Sequence, residues 1–139
     1  MKQLVDIIST EMTPRTATLP RSTADASAVL AKAALRAADG LALSQADLAR
    51  VLGLSPATVS RLAHGQKRLE PASKPFELAA LFVRLFRSLD AIVGSDDAAA
   101  RAWLRSPNLV LGGVPLELIR DLTGLVRTVD YLDAARARV

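Results

Sequence analysis

The sequence predicts an all-α protein, and three observations support this fold class. Ala and Leu, both strong helix formers, dominate a chain of 139 residues in which aromatic residues make up only 4%. Apolar residues recur at three- and four-residue steps in several segments, which is the period of an amphipathic helix. Runs of β-branched residues that alternate with polar ones, as strands require, are almost absent.

Start and stop signals divide the chain into a series of helices. Ser or Asp caps, prolines in first turns and glycines at helix ends indicate the boundaries. We expect helices at about residues 25–40, 44–52, 55–63, 74–93, 95–105, 115–122 and 123–138. In the first of these, the residues expected to be buried are Val29, Leu30, Ala33 and Leu35.

Composition divides the chain into three parts. Residues 1–23 are expected to form a flexible arm or linker, because their second half contains two prolines and four threonines. Residues 24–94 are expected to form a first helical domain that includes the long helix. Residues 95–139 are expected to form a second, smaller domain, with the seam near Gly94.

The residue inventory argues against an enzyme. The chain has no cysteine and a single histidine, His64, which removes thiolate chemistry and most histidine-based catalysis. His64 is expected to be a helix-end residue, and no nucleophile–base pair, metal-ligand cluster or phosphate-binding loop is recognisable. We therefore expect no catalytic residue, no metal and no cofactor.

The apolar segments do not predict membrane association. The N-terminal apolar patch is interrupted by Asp6 and is too short for a signal peptide. The apolar segment at 76–93 contains four charged residues, so it is not expected to span a bilayer. The sequence therefore predicts a cytoplasmic protein.

Positive charge is concentrated in one part of the chain. The formal net charge is +4, and residues 50–74 alone carry five basic residues and one acidic residue, which also gives +4. Such a surplus is compatible with an anionic partner such as nucleic acid, but it does not establish one.

The pattern of residues 43–66 meets the geometric requirements of a helix-turn-helix. Ala49 provides the small residue needed where two helices cross, and Gly53 tolerates the positive φ of the turn. Ser44 and Ser55 are placed to cap the two helices. The apolar anchors are Leu48, Leu52, Leu54, Val59 and Leu62.

The second helix of this pair presents a surface suited to the major groove of DNA. Arg61 is able to make a bidentate contact to guanine, and hydroxyl groups suit bases or phosphates. The candidate DNA-binding residues are Gln45, Ser55, Ala57, Thr58, Ser60, Arg61, Gln66, Lys67 and Arg68. The segment 43–66 resembles the Xre/Cro type of DNA-binding domain. The alternative is a pair of short helices in a structural bundle.

Five short motifs follow one another in the last third of the chain. They are Trp103-Leu104, Pro107-Asn108, Leu111-Gly112-Gly113, Pro115-Leu116-Glu117-Leu118 and Gly124. In this order they resemble the C-terminal toxin-binding domain of the Xre/MbcA/ParS antitoxin family. Independently of the resemblance, an exposed apolar patch is expected from Leu109, Val110, Leu111 and Val114. The alternatives are structural, with Trp103 as a core anchor and Asn108 with the glycines as turn formers.

The resemblance implies an antitoxin of a RES-type toxin, an enzyme similar to ADP-ribosyltransferases that consumes or transfers from NAD. Such an antitoxin is expected to block the toxin active site with its C-terminal end and, with the toxin, to repress its own operon. Residues 131–139 are the candidate plug, and a solvated helix end is the equal alternative. The candidate toxin-binding residues are Asn108, Leu111, Gly112, Gly113, Leu116, Tyr131, Arg136, Arg138 and Val139.

The expected partners are therefore a cognate RES-domain toxin and operator DNA, without a membrane. Helix-turn-helix proteins usually dimerise to bind two half-sites, so we expect a homodimer within a larger toxin–antitoxin complex. The helix at 76–93 is a candidate interface for that dimer. The alternative function is a stand-alone Xre-type transcriptional repressor whose C-terminal module only dimerises.

Overall fold

A computed structural model describes residues 22–139, and all regular secondary structure in this range is helical, which confirms the all-α class. The helices are α1 (Thr23–Gly40), α2 (Gln45–Leu52), α3 (Pro56–Ala63), α4 (Lys74–Ile92), α5 (Asp97–Arg105), α6 (Pro115–Leu118) and α7 (Leu122–Arg136). The expected N-terminal arm lies outside the described residues except for Ser22, which caps α1, and Thr23, which begins it. Every helix within 22–139 falls short of the length and apolar character that a membrane crossing requires.

Local signals explain where the helices begin. In six of these seven helices, a Ser or Asp side chain before the first turn accepts a hydrogen bond from a backbone N–H three residues later. Ser44 and Ser55 cap α2 and α3 as expected, at 3.0 and 3.1 Å. Proline occupies the first turn of α3, α4 and α6, where its missing N–H leaves no helical bond unmade.

The first helix packs through small residues, which differs from the expectation. Its buried positions are Ser27, Ala34, Ala37 and Ala38. The expectation that Val29 is buried is wrong, because its side chain is 59% exposed. Nine residues make about two and a half helical turns, so Val29 and Ala38 point to opposite sides of α1. Short side chains on the inner side let α1 approach α4 closely.

A single core joins the two halves of the chain. Phe82, Leu85 and Leu89 of α4 are fully buried, and α4 packs against α1, α2 and α7. Leu125 and Leu132 of α7 belong to the same buried cluster. The long helix therefore supplies apolar contacts both to the helix-turn-helix and to the C-terminal part of the chain.

Arginine side chains form hydrogen bonds and an ion pair between the two halves of the chain. Arg101 and Arg105 of α5 donate hydrogen bonds to the backbone carbonyls of residues 40–42, at 2.9–3.0 Å. Arg120, which follows α6, forms a half-buried ion pair with Asp47 of α2 at 2.9 Å. Bonds to charged donors are stronger than neutral ones, so these contacts fix the C-terminal part against the helix-turn-helix.

Gly124 is a position where the fold tolerates no side chain. It lies in the first turn of α7, and a Cβ atom added there would be 1.8 Å from the backbone oxygen of Leu118. We expect Gly124→Ala to lower the free energy of unfolding by about 3 kcal/mol, because α6 and α7 must move apart. Urea unfolding followed by circular dichroism measures this change.

Gly113→Ala is the matched control. A Cβ atom added at Gly113 meets the Leu118 side chain rather than its backbone, at an ordinary distance of 3.4 Å. We expect this variant to lose less than about 1 kcal/mol. Equal losses for the two alanine variants would contradict the steric account.

Candidate functional site

The turn between α2 and α3 has the geometry that a helix-turn-helix requires. Gly53 has a φ of +67° and a ψ of +34°, a left-handed conformation that ends α2. The N–H of Leu54 donates to the carbonyl of Ala49 at 2.8 Å, and Ala49 is only 1% exposed. The positive φ expected of Gly53 is confirmed, and the small residue expected at position 49 is buried where α2 and α3 meet.

The candidate DNA-binding residues on and around α3 are accessible to solvent. Those that are exposed are Gln45, Ser55, Ala57, Arg61, Gln66, Lys67 and Arg68, whereas Thr58 and Ser60 are half-buried. Ser55 Oγ accepts a hydrogen bond from the N–H of Thr58 and lies 2.8 Å from Thr58 Oγ1. These two hydroxyl groups are therefore held in fixed positions at the start of α3.

The surface around α3 is positively charged. Arg61, Lys67 and Arg68 are exposed, and no ion pair involves any of them among residues 22–139. His64 ends α3 and donates from Nδ1 to the carbonyl of Ser60 at 2.7 Å, which is the expected helix-end role. Cations that form no ion pair, beside an open helix face, are suited to phosphate contacts.

A tight loop from Asn108 to Gly113 forms the second candidate site. The N–H of Asn108 donates to the carbonyl of Gly113 at 2.8 Å, and the N–H of Gly113 donates back at 3.2 Å. Asn108 Oδ1 accepts from the N–H of Leu111 at 3.0 Å, and Arg127 of α7 donates to the Leu111 carbonyl at 3.2 Å. Asn108 therefore shapes the loop through turn chemistry, as the structural alternative proposed.

This loop exposes two large apolar side chains and buries a third. Leu109 is 99% exposed and Val110 is 73% exposed. The expectation that Leu111 is exposed is wrong, because its side chain is only 4% exposed and anchors the loop. Val114 is half-buried. We call Leu109 and Val110 together the apolar loop.

Sequence reasoning missed two further exposed apolar residues, Leu122 and Val126. They lie one turn apart on α7 and are 60% and 37% exposed. A signal was present, because they form a second apolar row beside the buried row of Leu125 and Val129, and this makes the apolar arc of α7 wider than the core needs.

The C-terminal tail is only partly accessible. Tyr131 is half-buried and stacks on Trp103, with ring centroids 6.2 Å apart and an interplanar angle of 20°. Trp103 in turn packs against the core, as the core-anchor alternative predicts. Arg136, Arg138 and Val139 are exposed.

The remaining candidate toxin-binding residues differ in exposure. Gly112 is exposed, Gly113 is half-buried, and Leu116 packs against the core. Tyr131 and Leu116 therefore have structural contacts of their own, whereas the apolar loop and residues 136–139 are open to a partner.

Comparisons with known proteins match both parts of the chain. The model of the antitoxin Xre-like helix-turn-helix domain matches residues 20–84, and that of the antitoxin Xre/MbcA/ParS C-terminal toxin-binding domain matches residues 88–138. The fold is similar to a chain in the crystal structure of the M. tuberculosis MbcT–MbcA toxin–antitoxin complex, with a TM-score of 0.60 and 25% identity. That match covers 80% of this chain and 96% of the other. No curated protein matches the chain.

Proposed function

Because this chain belongs to the Xre/MbcA/ParS antitoxin family, we propose that it neutralises a RES-type, NAD-consuming toxin by covering its active site and that it represses its own operon. It is an antitoxin of a toxin–antitoxin system with a helix-turn-helix for DNA. It acts by binding, without catalysis of its own. Together with the toxin, two copies of it occupy the operator as a homodimer within a larger complex.

The toxin-binding proposal rests on one observation: the apolar loop is exposed although hydrogen bonds hold its backbone in place. Leu109 is 99% exposed, although the nearby Leu111 is buried and four hydrogen bonds within residues 108–113 fix the turn around it. A large aliphatic side chain held in water on an ordered loop loses little conformational entropy on binding. Such a residue gains apolar burial only when a partner covers it, which is the character of an interface anchor.

The C-terminal tail is suited to the toxin active site. Arg138 and Val139 are exposed beyond the last residue of α7. An enzyme that uses NAD holds the phosphates of its substrate with cationic or N–H groups, so a guanidinium group of the tail is suited to the acidic and polar side chains beside them. We propose that the residues after Arg136 enter it while the apolar loop docks beside it.

The surface around α3 is suited to operator DNA. Arg61 supplies a base contact, whereas Lys67 and Arg68 supply phosphate contacts next to it. Gln45 lies at the N-terminal end of α2, where a phosphate also interacts favourably with the helix dipole. A dimer positions two α3 helices in successive major grooves.

A charge in the apolar loop separates the two activities. We expect Leu109→Asp to weaken binding of the RES-type toxin encoded by the neighbouring gene at least 100-fold. The reason is that an aspartate replaces an apolar side chain that the toxin buries in the proposed complex. Isothermal titration calorimetry measures the affinity, and growth rescue on co-expression measures protection. Operator affinity of this variant should equal that of the wild type, and unchanged protection would refute the role of the loop.

Arg61→Ala is the complementary variant. We expect it to weaken operator binding by about 10- to 100-fold at fixed salt, since one bidentate base contact is lost. Gel-shift titration with the operator measures this loss, and toxin binding should be unchanged. An Arg61→Ala protein that binds the operator like the wild type would remove α3 from the recognition of bases.

A short truncation tests the tail without disturbing the core. Leu132 is only 1% exposed, so deletion of the whole segment after Tyr131 would remove a core residue. Deletion of residues 137–139 leaves α7 complete. We expect this truncation to abolish inhibition of NAD consumption by the toxin while the complex still forms through the apolar loop. Full inhibition by the truncated protein would exclude the tail as the plug.

A further inference from the structure

An open groove runs along α1 and α4 and reaches the C-terminal end of α7. Its larger part has a volume of about 820 Å³ and is lined by residues of all three helices. A second cavity of about 350 Å³ shares Val29, Ala33, Val83 and Arg87 with it. Because they share these residues, the two cavities form one continuous feature, called the α1–α4 groove below.

The floor of the α1–α4 groove is apolar. Val29 is 59% exposed in it, and Ala33 and Val83 extend the same surface. Alanine and valine leave a shallow channel between the two helices, which has the shape that receives the side chains of a third helix. A nucleic-acid backbone would gain nothing from this floor, so the groove is suited to protein.

The rim of the α1–α4 groove is basic. Lys32, Arg36, Arg87 and Arg136 line it and are exposed, and none of them forms an ion pair within residues 22–139. Arg84 is the exception, since it pairs with Asp133 across α4 and α7.

The carboxylate of Asp133 already has partners within the fold. Asp133 accepts a hydrogen bond from Ser88 at 2.7 Å in addition to its pair with Arg84. It is the one acidic residue that lines the larger cavity within the described chain. The rim therefore offers four positive charges to whatever occupies the floor.

We infer that the α1–α4 groove is a second docking site for the toxin and that it binds an amphipathic helix with an acidic edge. This inference rests on the proposed function and deepens it. Arg136 and Ala137 line the groove and directly precede the tail residues Arg138 and Val139. A toxin whose active site binds the tail therefore lies next to the groove. Acidic side chains of that toxin would then contact the basic residues of the rim.

A second copy of this chain is the less favourable occupant. A two-fold contact would place Lys32, Arg36, Arg87 and Arg136 of one copy near the same residues of the other. Like charges brought together in a partly buried interface cost free energy, whereas carboxylates of a toxin helix would neutralise them.

Two variants and two controls of the full-length antitoxin test the groove, each with the purified toxin that the neighbouring gene encodes. We expect Val29→Asp and Arg87→Glu each to weaken the toxin affinity about tenfold or more, measured by titration calorimetry. Ala98→Asp, which adds the same charge as Val29→Asp at an exposed position of α5, should leave the toxin affinity unchanged. Lys67→Glu should weaken operator binding but leave the toxin affinity unchanged. The four substituted positions are all exposed, so all four variants should fold. Thermal unfolding checks this.

A photo-crosslinker at position 29 identifies the occupant. With p-benzoylphenylalanine in place of Val29, we expect a crosslink to an acidic amphipathic helix of the toxin. Crosslinks to a second antitoxin copy or to residues 1–21 of the same chain would overturn the inference.

Two affinity results would also overturn it, and they are distinguishable. If Val29→Asp and Arg87→Glu bind the toxin like the wild type while Leu109→Asp does not, the groove is not a docking site and the proposed function stands. If the wild type itself binds no toxin, the proposed function fails and the groove inference fails with it.

Discussion

The apolar contact between α4 and α7 is the constraint on which the other surfaces depend. The two helices share one buried cluster, which contains Leu85 and Leu89 from α4 and Leu125 and Leu132 from α7. Because α4 also packs against α1 and α2, the helix-turn-helix and the C-terminal part cannot move independently without exposing this core. Burial of apolar area supplies the stability, and the arginine contacts to residues 40–42 fix the relative orientation.

This arrangement fixes the proposed partner surfaces relative to the core. The apolar loop is held by backbone hydrogen bonds and by Arg127 of α7, so its position is fixed relative to the core. The α3 surface is fixed through the turn at Gly53 and through the contact of α2 with α4. The proposed toxin site and the proposed DNA site thus lie on one body, so the position of a partner at one site constrains where a partner fits at the other.

The local features of the fold were predictable because they depend on neighbouring residues only. Capping by Ser44 and Ser55 and the left-handed Gly53 require nothing beyond a few residues of chain. The exposure of individual apolar side chains was not predictable in the same way. Val29 was expected inside and lies outside, and Leu111 was expected outside and lies inside. Burial of an apolar side chain depends on how the helices and loops pack together, which the residues around it do not specify.

The order of residues alone was enough to predict the helices, their caps, the helix-turn-helix and the motifs of the C-terminal part, since hydrogen bonds within a helix and φ preferences act over a few residues. The packing of the helices against one another sets which apolar residues stay exposed. The α1–α4 groove arises where the packing of three helices leaves apolar surface uncovered, and Leu122 and Val126 remain exposed on α7. Burial depends on the whole arrangement of the core, and a local pattern indicates exposure only where an apolar arc is wider than the core needs, as on α7.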